Sequence, residues 1–160
     1  MSDFLATYQL TRGRFDDAVK GLSQEQLNFR LHDETLTIGE MALHVAGVEY
    51  FVLSQLLDLE LTPEQKRLKR CARDGALNEK PFPFSAYEIT PDLVSSALTE
   101  VRKLTEQTLL SPTDELRAKP NESALGPMID GTGAMVRLSY HPGYHHGQIW
   151  MIKSAPSYPA

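Results

Sequence analysis

Four stretches of the chain repeat apolar residues at three- and four-residue intervals, the period of a helix with one buried face, and almost nothing between them alternates as a strand would. Phe4, Leu5, Tyr8, Phe15, Val19 and Leu22 mark a first helix over about residues 3–20, ending near Gly21. Thr37-Ile38-Gly39-Glu40 reads as a capping box, with Thr37 as the cap and Glu40 reaching back to it, and it opens a second helix to about Asp58. Thr62-Pro63 announces a short helix through Leu68, and Thr90-Pro91 repeats the signal for a long one. The stripe Leu93, Val94, Ala97, Leu98, Val101, Leu104 and Leu109 belongs to that third long helix, which Ser111-Pro112 stops. The segment from Pro112 to Gly131, rich in Pro, Asn, Ser and Gly, reads as a long loop with at most one helical turn, and loops of that length often act as lids. A fourth helix is expected over about 132–153, with Met135, Val136, Leu138, Ile149, Trp150 and Ile152 as its apolar positions, before the SAPSYPA tail frays.

These elements predict an all-α fold, a four-helix bundle forming one domain over residues 1–160. The connection between the second and third long helices is long enough to cross the bundle, so those two can run parallel, leaving the second and fourth antiparallel. In that arrangement His44 and His145 lie at similar depth from one end and reach a common site.

Charge and hydropathy narrow the function. Lys and Arg number 16 against 21 Asp and Glu, a net charge of -5, and an acidic chain without a basic stripe repels phosphate backbones, so no nucleic-acid partner is expected. The run Lys66, Arg67, Lys69 and Arg70 reads as a solvated helix face. No stretch reaches the ~18 apolar residues of a membrane span, and MSDFLATYQL lacks a leader pattern, so a cytoplasmic protein without membrane contact is expected. Cys71 is the one cysteine; it follows a charged run with no histidine nearby and reads as structural.

Chemistry concentrates in Tyr140-His141-Pro142-Gly143-Tyr144-His145-His146-Gly147-Gln148. Spacing of four puts His141 and His145 on one helix face, the arrangement by which two ring nitrogens share an ion. His44 lies in the apolar run Met41-Ala42-Leu43-His44-Val45-Ala46, where an imidazole without a partner is costly to desolvate. It is either a third ligand or a core histidine donating one hydrogen bond to a carbonyl. Pro142 removes a backbone hydrogen bond and crowds the preceding turn, at about 3 kcal/mol, so a kink or bulge is expected at the centre of the motif.

His44 within IGEMALHVAGVEYF, together with HPGYHHGQI, resembles the first histidine and the His-x-x-x-His-x-Gly-Gln-Ile element of the DinB/YfiT-like superfamily, and the likeness in length and motif order extends over essentially the whole chain. The resemblance implies a four-helix bundle, often dimeric, whose His44, His141 and His145 would hold a divalent ion such as nickel or zinc. Relatives in that superfamily include thiol S-transferases that use bacillithiol or mycothiol and a thiol-dependent maleylpyruvate isomerase. Three functional readings follow: a metal-dependent transferase activating a low-molecular-weight thiol as co-substrate, a metal-dependent hydrolase, and a non-catalytic bundle that binds metal for sensing or interaction. A small-molecule substrate and a homodimer are implied by the same likeness.

Around the three ligands, Gln148 falls on the same stripe and could orient a ligand or a water, against the plainer reading of an interhelical contact. Arg137, one turn before His141, would sit near the ion or an anionic substrate, or form a surface ion pair. His146 is turned away, His32 reads as a loop residue, and Gly147 is expected where a neighbouring helix comes close. Glu40 is explained by its cap and Glu49 lies off the face, though either carboxylate could act as a base behind the ligands. Trp150, Tyr144 and Tyr140 are expected in the core or in pocket walls.

Overall fold

Side-chain caps start every helix of the computed structural model, which describes residues 2–160. Helix α1 spans Asp3–Val19 behind Ser2, and α2, Gln24–Asn28, opens on a capping box of Ser23 and Gln26. Helix α3 covers Ile38–Leu56 behind the predicted box of Thr37 and Glu40, and α4 covers Pro63–Arg70 behind Thr62 and Gln65. Helix α5 spans Pro91–Leu110, α6 spans Asp114–Ala118, and α7 spans Gly131–Lys153 behind Asp130. Each cap oxygen accepts from a backbone N–H of the first turn that has no partner within the helix.

The four long helices appear where the apolar period put them. Missing from that reading were the short α2 in the first connection and a two-stranded hairpin, β1 Asn121–Glu122 paired antiparallel with β2 Met128–Ile129, inside the loop after α5. Five- and two-residue elements carry too few residues to show a period.

Contacts along the helices give their directions. The Phe4 carbonyl accepts from the Ser139 hydroxyl and the Ala18 carbonyl from the Lys153 ammonium, so α1 and α7 run the same way. Ser2 donates to the Leu109 carbonyl and Arg12 to the Leu98 carbonyl, so α5 opposes α1. Met41 and Ile152 face one cavity, while Gln55 near the other end of α3 bonds to Glu122, close to where α7 begins, so α3 opposes α7. Helices α3 and α5 are therefore parallel, joined by the long crossover over residues 57–90 that contains α4.

Helix α3 is central. Among its residues only Gln55 escapes burial, as befits a helix that is apolar on every side and enclosed by neighbours. Tyr8, Phe15, Leu43, Leu53, Leu109, Met135 and Leu138 belong to one continuous core around it. Polar groups enter that core as a network: Arg12 donates to Glu49 at 3.0 Å, Glu49 also accepts from Tyr8 at 3.1 Å and Thr105 at 3.0 Å, and Arg12 pairs with Asp16 as well.

Several expectations about α7 and the tail are corrected. Val136 is 46% and Trp150 64% exposed, so neither joins the core, because both lie on the flank of α7 turned from α1 and α3. The C-terminal segment docks: Tyr158 meets Phe29 edge-on at 5.4 Å between ring centres, and the Pro159 carbonyl accepts from Gln26. No bulge or break interrupts α7 at Pro142. Helix α1 splints this stretch, with Thr11 donating to the Ser139 carbonyl at 2.6 Å and fitting against Gly143, where a Cβ would lie 3.0 Å from its methyl carbon.

Candidate metal centre

His44 comes from the second turn of α3, and His141 and His145 from successive turns of α7. The three rings converge. Their centres lie 5.1 Å apart for His44 and His141, 4.9 Å for His44 and His145, and 4.5 Å for His141 and His145. One ring nitrogen from each falls within 4.8 Å of the other two, and all three side chains are buried.

Hydrogen bonds on the far sides of two rings decide which nitrogen is free. The Cys71 carbonyl lies 2.7 Å from His44 Nδ1 and can only accept, so Nδ1 carries the proton and Nε2 keeps its lone pair for the cluster. Gln148 Oε1 does the same for His145 Nδ1 at 2.6 Å, and the Gln148 amide is steered in turn by donating to the Tyr144 hydroxyl at 3.2 Å. His44 is thus a core histidine bonded to a carbonyl and also a residue poised to ligate. Gln148 orients a histidine rather than packing between helices.

His141 Nε2 and His145 Nε2 are 3.0 Å apart. With the His145 proton on Nδ1, something positive must sit between these atoms: a proton on His141, or a cation. Two nitrogens each about 2.0–2.1 Å from one ion, at coordination angles near 90–110°, lie roughly 2.9–3.4 Å apart, so the observed spacing fits a shared divalent ion. Electrostatics favours the ligating form. Burial lowers His44 to about 4, with Arg137 pushing the same way and the Cys71 carbonyl opposing. Burial, then the charge of His44, lowers His145 to about 3, and burial followed by its two partner rings holds His141 well below the usual histidine range. Near neutral pH all three are unprotonated bases, as metal binding requires.

The rings form one wall of a cavity of about 530 Å³, a size suited to a small organic molecule. Leu31 and Leu36 come from the connection before α3, Leu77 from the crossover, Leu125 from the tip of the hairpin, and Tyr140 and Tyr144 from α7. The long loop after α5 therefore supplies part of the wall through Leu125. Arg137 and Glu34 also line the cavity.

Other predicted residues go elsewhere. Glu40 Oε2 accepts from the Thr37 N–H at 2.8 Å and Oε1 from Arg30 at 2.7 Å; Glu49 is consumed by the core network, so neither carboxylate stands behind the ligands. His146 and Trp150 lie outside the cavity lining, and His32 is exposed. Gly147 has open space where a Cβ would point, and neighbouring helices come close at Gly39, Gly47 and Gly131 instead. The basic run is engaged locally: Arg67 pairs with Glu88 and lies over Phe84, Lys69 donates to Ser54, and Arg70 pairs with Asp74. Cys71 is fully buried, its thiol pushed up to about 12 by burial, and it serves the site through its backbone oxygen, an atom no side-chain pattern reports.

An all-α bundle with three convergent, pre-oriented imidazoles in a cavity wall defines a class of helical proteins able to hold a metal ion. Within that class, the family model described as the DinB superfamily matches residues 7–149, a range that includes all three histidines and Gln148, and the chain belongs to that superfamily. No curated protein and no solved structure matches the chain. Among the described residues no helix is long and apolar enough to cross a membrane.

Proposed function

We propose that the protein is a metal-dependent transferase that activates a low-molecular-weight thiol, holding nickel or zinc through His44, His141 and His145. The observation that carries this reading is the convergence of three neutral imidazoles, two of them locked in tautomer by Cys71 and Gln148, onto a cavity with room for a substrate. When bound, a divalent ion with three nitrogen ligands supplies Lewis acidity at its open positions and lowers the pKa of a thiol placed there. The chain's own part is to keep the imidazoles unprotonated, to fix their lone pairs inward and to wall the thiol with Leu31, Leu36, Leu77 and Leu125. Hydrolysis would use the same three ligands with a bound hydroxide as nucleophile, and the apolar wall together with the lack, among the described residues, of a free buried carboxylate to assist proton transfer favours thiol activation. Glu40 and Glu49 are both engaged in structural pairs, and Glu34 is exposed at the rim.

Metal analysis of purified protein is expected to find about one ion per chain, and little in the His44→Ala/His141→Ala/His145→Ala variant; equal content in both would defeat the assignment. With metal present, a panel of thiols and electrophiles is expected to show electrophile-dependent thiol loss. Hydrolysis without thiol consumption would favour the hydrolase, and firm metal binding with no turnover would favour a sensing or interaction role. The superfamily resemblance supports a homodimer, and Val136, Tyr140 and Tyr144 expose a contiguous flank of α7 that a second copy could cover. Light scattering that shows a monomer at working concentration would remove that part.

A further inference from the structure

Arg137 presents a problem that the metal centre alone does not solve. Its Nε is buried, yet among the described residues it has no hydrogen-bond partner, and the guanidinium takes part in none of the ion pairs. Among the described residues it is the one cationic side chain with a buried, unsatisfied polar atom; the others are oxygens of neutral Asn and Tyr side chains. The side chain as a whole is half-buried, so solvent reaches part of its charge, but the Nε–H is a buried donor without an acceptor, and native structures rarely keep one without a function or a ligand. Arg137 lines the same cavity as the three histidines, one helical turn before His141.

Charge counting points the same way. The three imidazoles are neutral ligands, so a bound divalent ion would leave its charge uncompensated, and Arg137 adds another positive charge to the same space. Among the described residues, the only acidic side chain in the cavity lining is the exposed Glu34. One thiolate cannot neutralise both centres. A second anionic group, set apart from the sulfur, would satisfy the guanidinium and offset its repulsion from the ion.

We propose that Arg137 is the anion-recognition residue of the cavity, and that the molecule bound there carries an anionic oxygen group, a carboxylate or a phosphate, in addition to the group that faces the histidines. The assignment deepens the metal-dependent reading and rests on it only for where the sulfur goes; the buried Nε–H of Arg137 lacks an acceptor whether or not an ion is present.

The test titrates the metal-free chain and the cobalt(II)-loaded chain with 3-mercaptopropionate, with its neutral amide, and separately with inorganic phosphate, following heat of binding. In both forms the acid is expected to bind at least about tenfold tighter than the amide, the scale of one charge-assisted hydrogen bond. Arg137→Gln should erase that preference while leaving metal content unchanged, and Arg137→Lys should restore part of it. Phosphate binding tighter than the thiol acid, and lost in Arg137→Gln, would identify a phosphate as the anion. Equal binding of acid and amide by the parent, no binding of any probe at millimolar concentration, or a preference retained in Arg137→Gln would overturn the proposal. If cobalt is not taken up but the metal-free chain keeps the Arg137-dependent preference, the metal reading falls and the anion site stands.

Discussion

His44 lies in an apolar run of α3, where each polar ring atom needs a partner because water is absent. Nδ1 finds the Cys71 carbonyl, and Nε2 is left for the cluster. The residue pattern placed His44 in a buried run and His141 and His145 on one face, so the three histidines that converge, and that could hold an ion, were legible. It could not show the partners of the outer nitrogens, since one is a backbone oxygen and the other depends on the rotamer of Gln148. Neutral, buried imidazoles have a consequence for pH. Below about pH 6.5 the unfolded chain takes up protons on these histidines, whereas the folded, metal-free chain resists until pH nears 4 at His44 and 3 at His145. The unfolded state then binds more protons, so stability is full above pH 6.5 and falls as the pH drops towards 4. Urea unfolding of metal-free protein is expected to show a loss between pH 7 and pH 5 of up to about 2 kcal/mol for each such histidine. Replacing His141 and His145 with Gln should flatten the slope. A parent whose stability is the same at both pH values would contradict the buried, neutral assignment.

Helix α4 reaches α3 through Gly47, one turn beyond His44. A Cβ there would stand 2.4 Å from the Leu68 carbonyl and 3.0 Å from Cys71 Cβ, a gap only glycine permits. That close crossing brings the Cys71 carbonyl to His44. Gly47→Ala is accordingly expected to push α4 outward, lowering stability by about 1–3 kcal/mol and weakening metal affinity by roughly tenfold or more as His44 loses its orienting bond. Thermal melting and chelator competition on the same preparation would check it, and a variant unchanged in both would mean that α4 does not position the ligand. Helix α7 teaches a different lesson. Pro142 and Gly143 argue locally for a broken helix, but Thr11 and Ser139 bind α1 along the same stretch, and tertiary contact overrides local propensity. The spacing argument for His141 and His145 survives because α1 is there.

Three of the long helices are tied together through one buried carboxylate. Glu49 on α3 accepts from Arg12 and Tyr8 on α1 and from Thr105 on α5, with the Arg12 and Glu49 side chains 0% and 2% exposed. Removing Glu49 takes from the buried Arg12 its most enclosed anionic partner, leaving only Asp16 and the Leu98 carbonyl, and strands the Tyr8 and Thr105 hydroxyls. Glu49→Leu should therefore cost about 3–5 kcal/mol, and Arg12→Met combined with Glu49→Leu should recover much of that loss, because paired ions pay heavily for desolvation. Chemical denaturation of the single and double variants would decide it; a double variant as unstable as the sum of its singles would show that the network contributes more than charge pairing. The network also sets register. It holds α1 and α5 at one height on α3, and α1 in turn carries α7, whose histidines must meet His44.

Period, caps and breakers are local properties, and they were enough to place four long helices, the crossover between α3 and α5, and the three histidines on the faces that converge. Short elements, a docked tail, the exposed flank of Trp150 and Val136, and the engagement of Glu49 depend on residues distant in sequence, so only the packed molecule decides them. The same holds for the Cys71 carbonyl and for the unpartnered guanidinium of Arg137. A hydrogen-bond partner, or the lack of one, is a matter of separation in space, and a one-dimensional pattern records separation only along the chain.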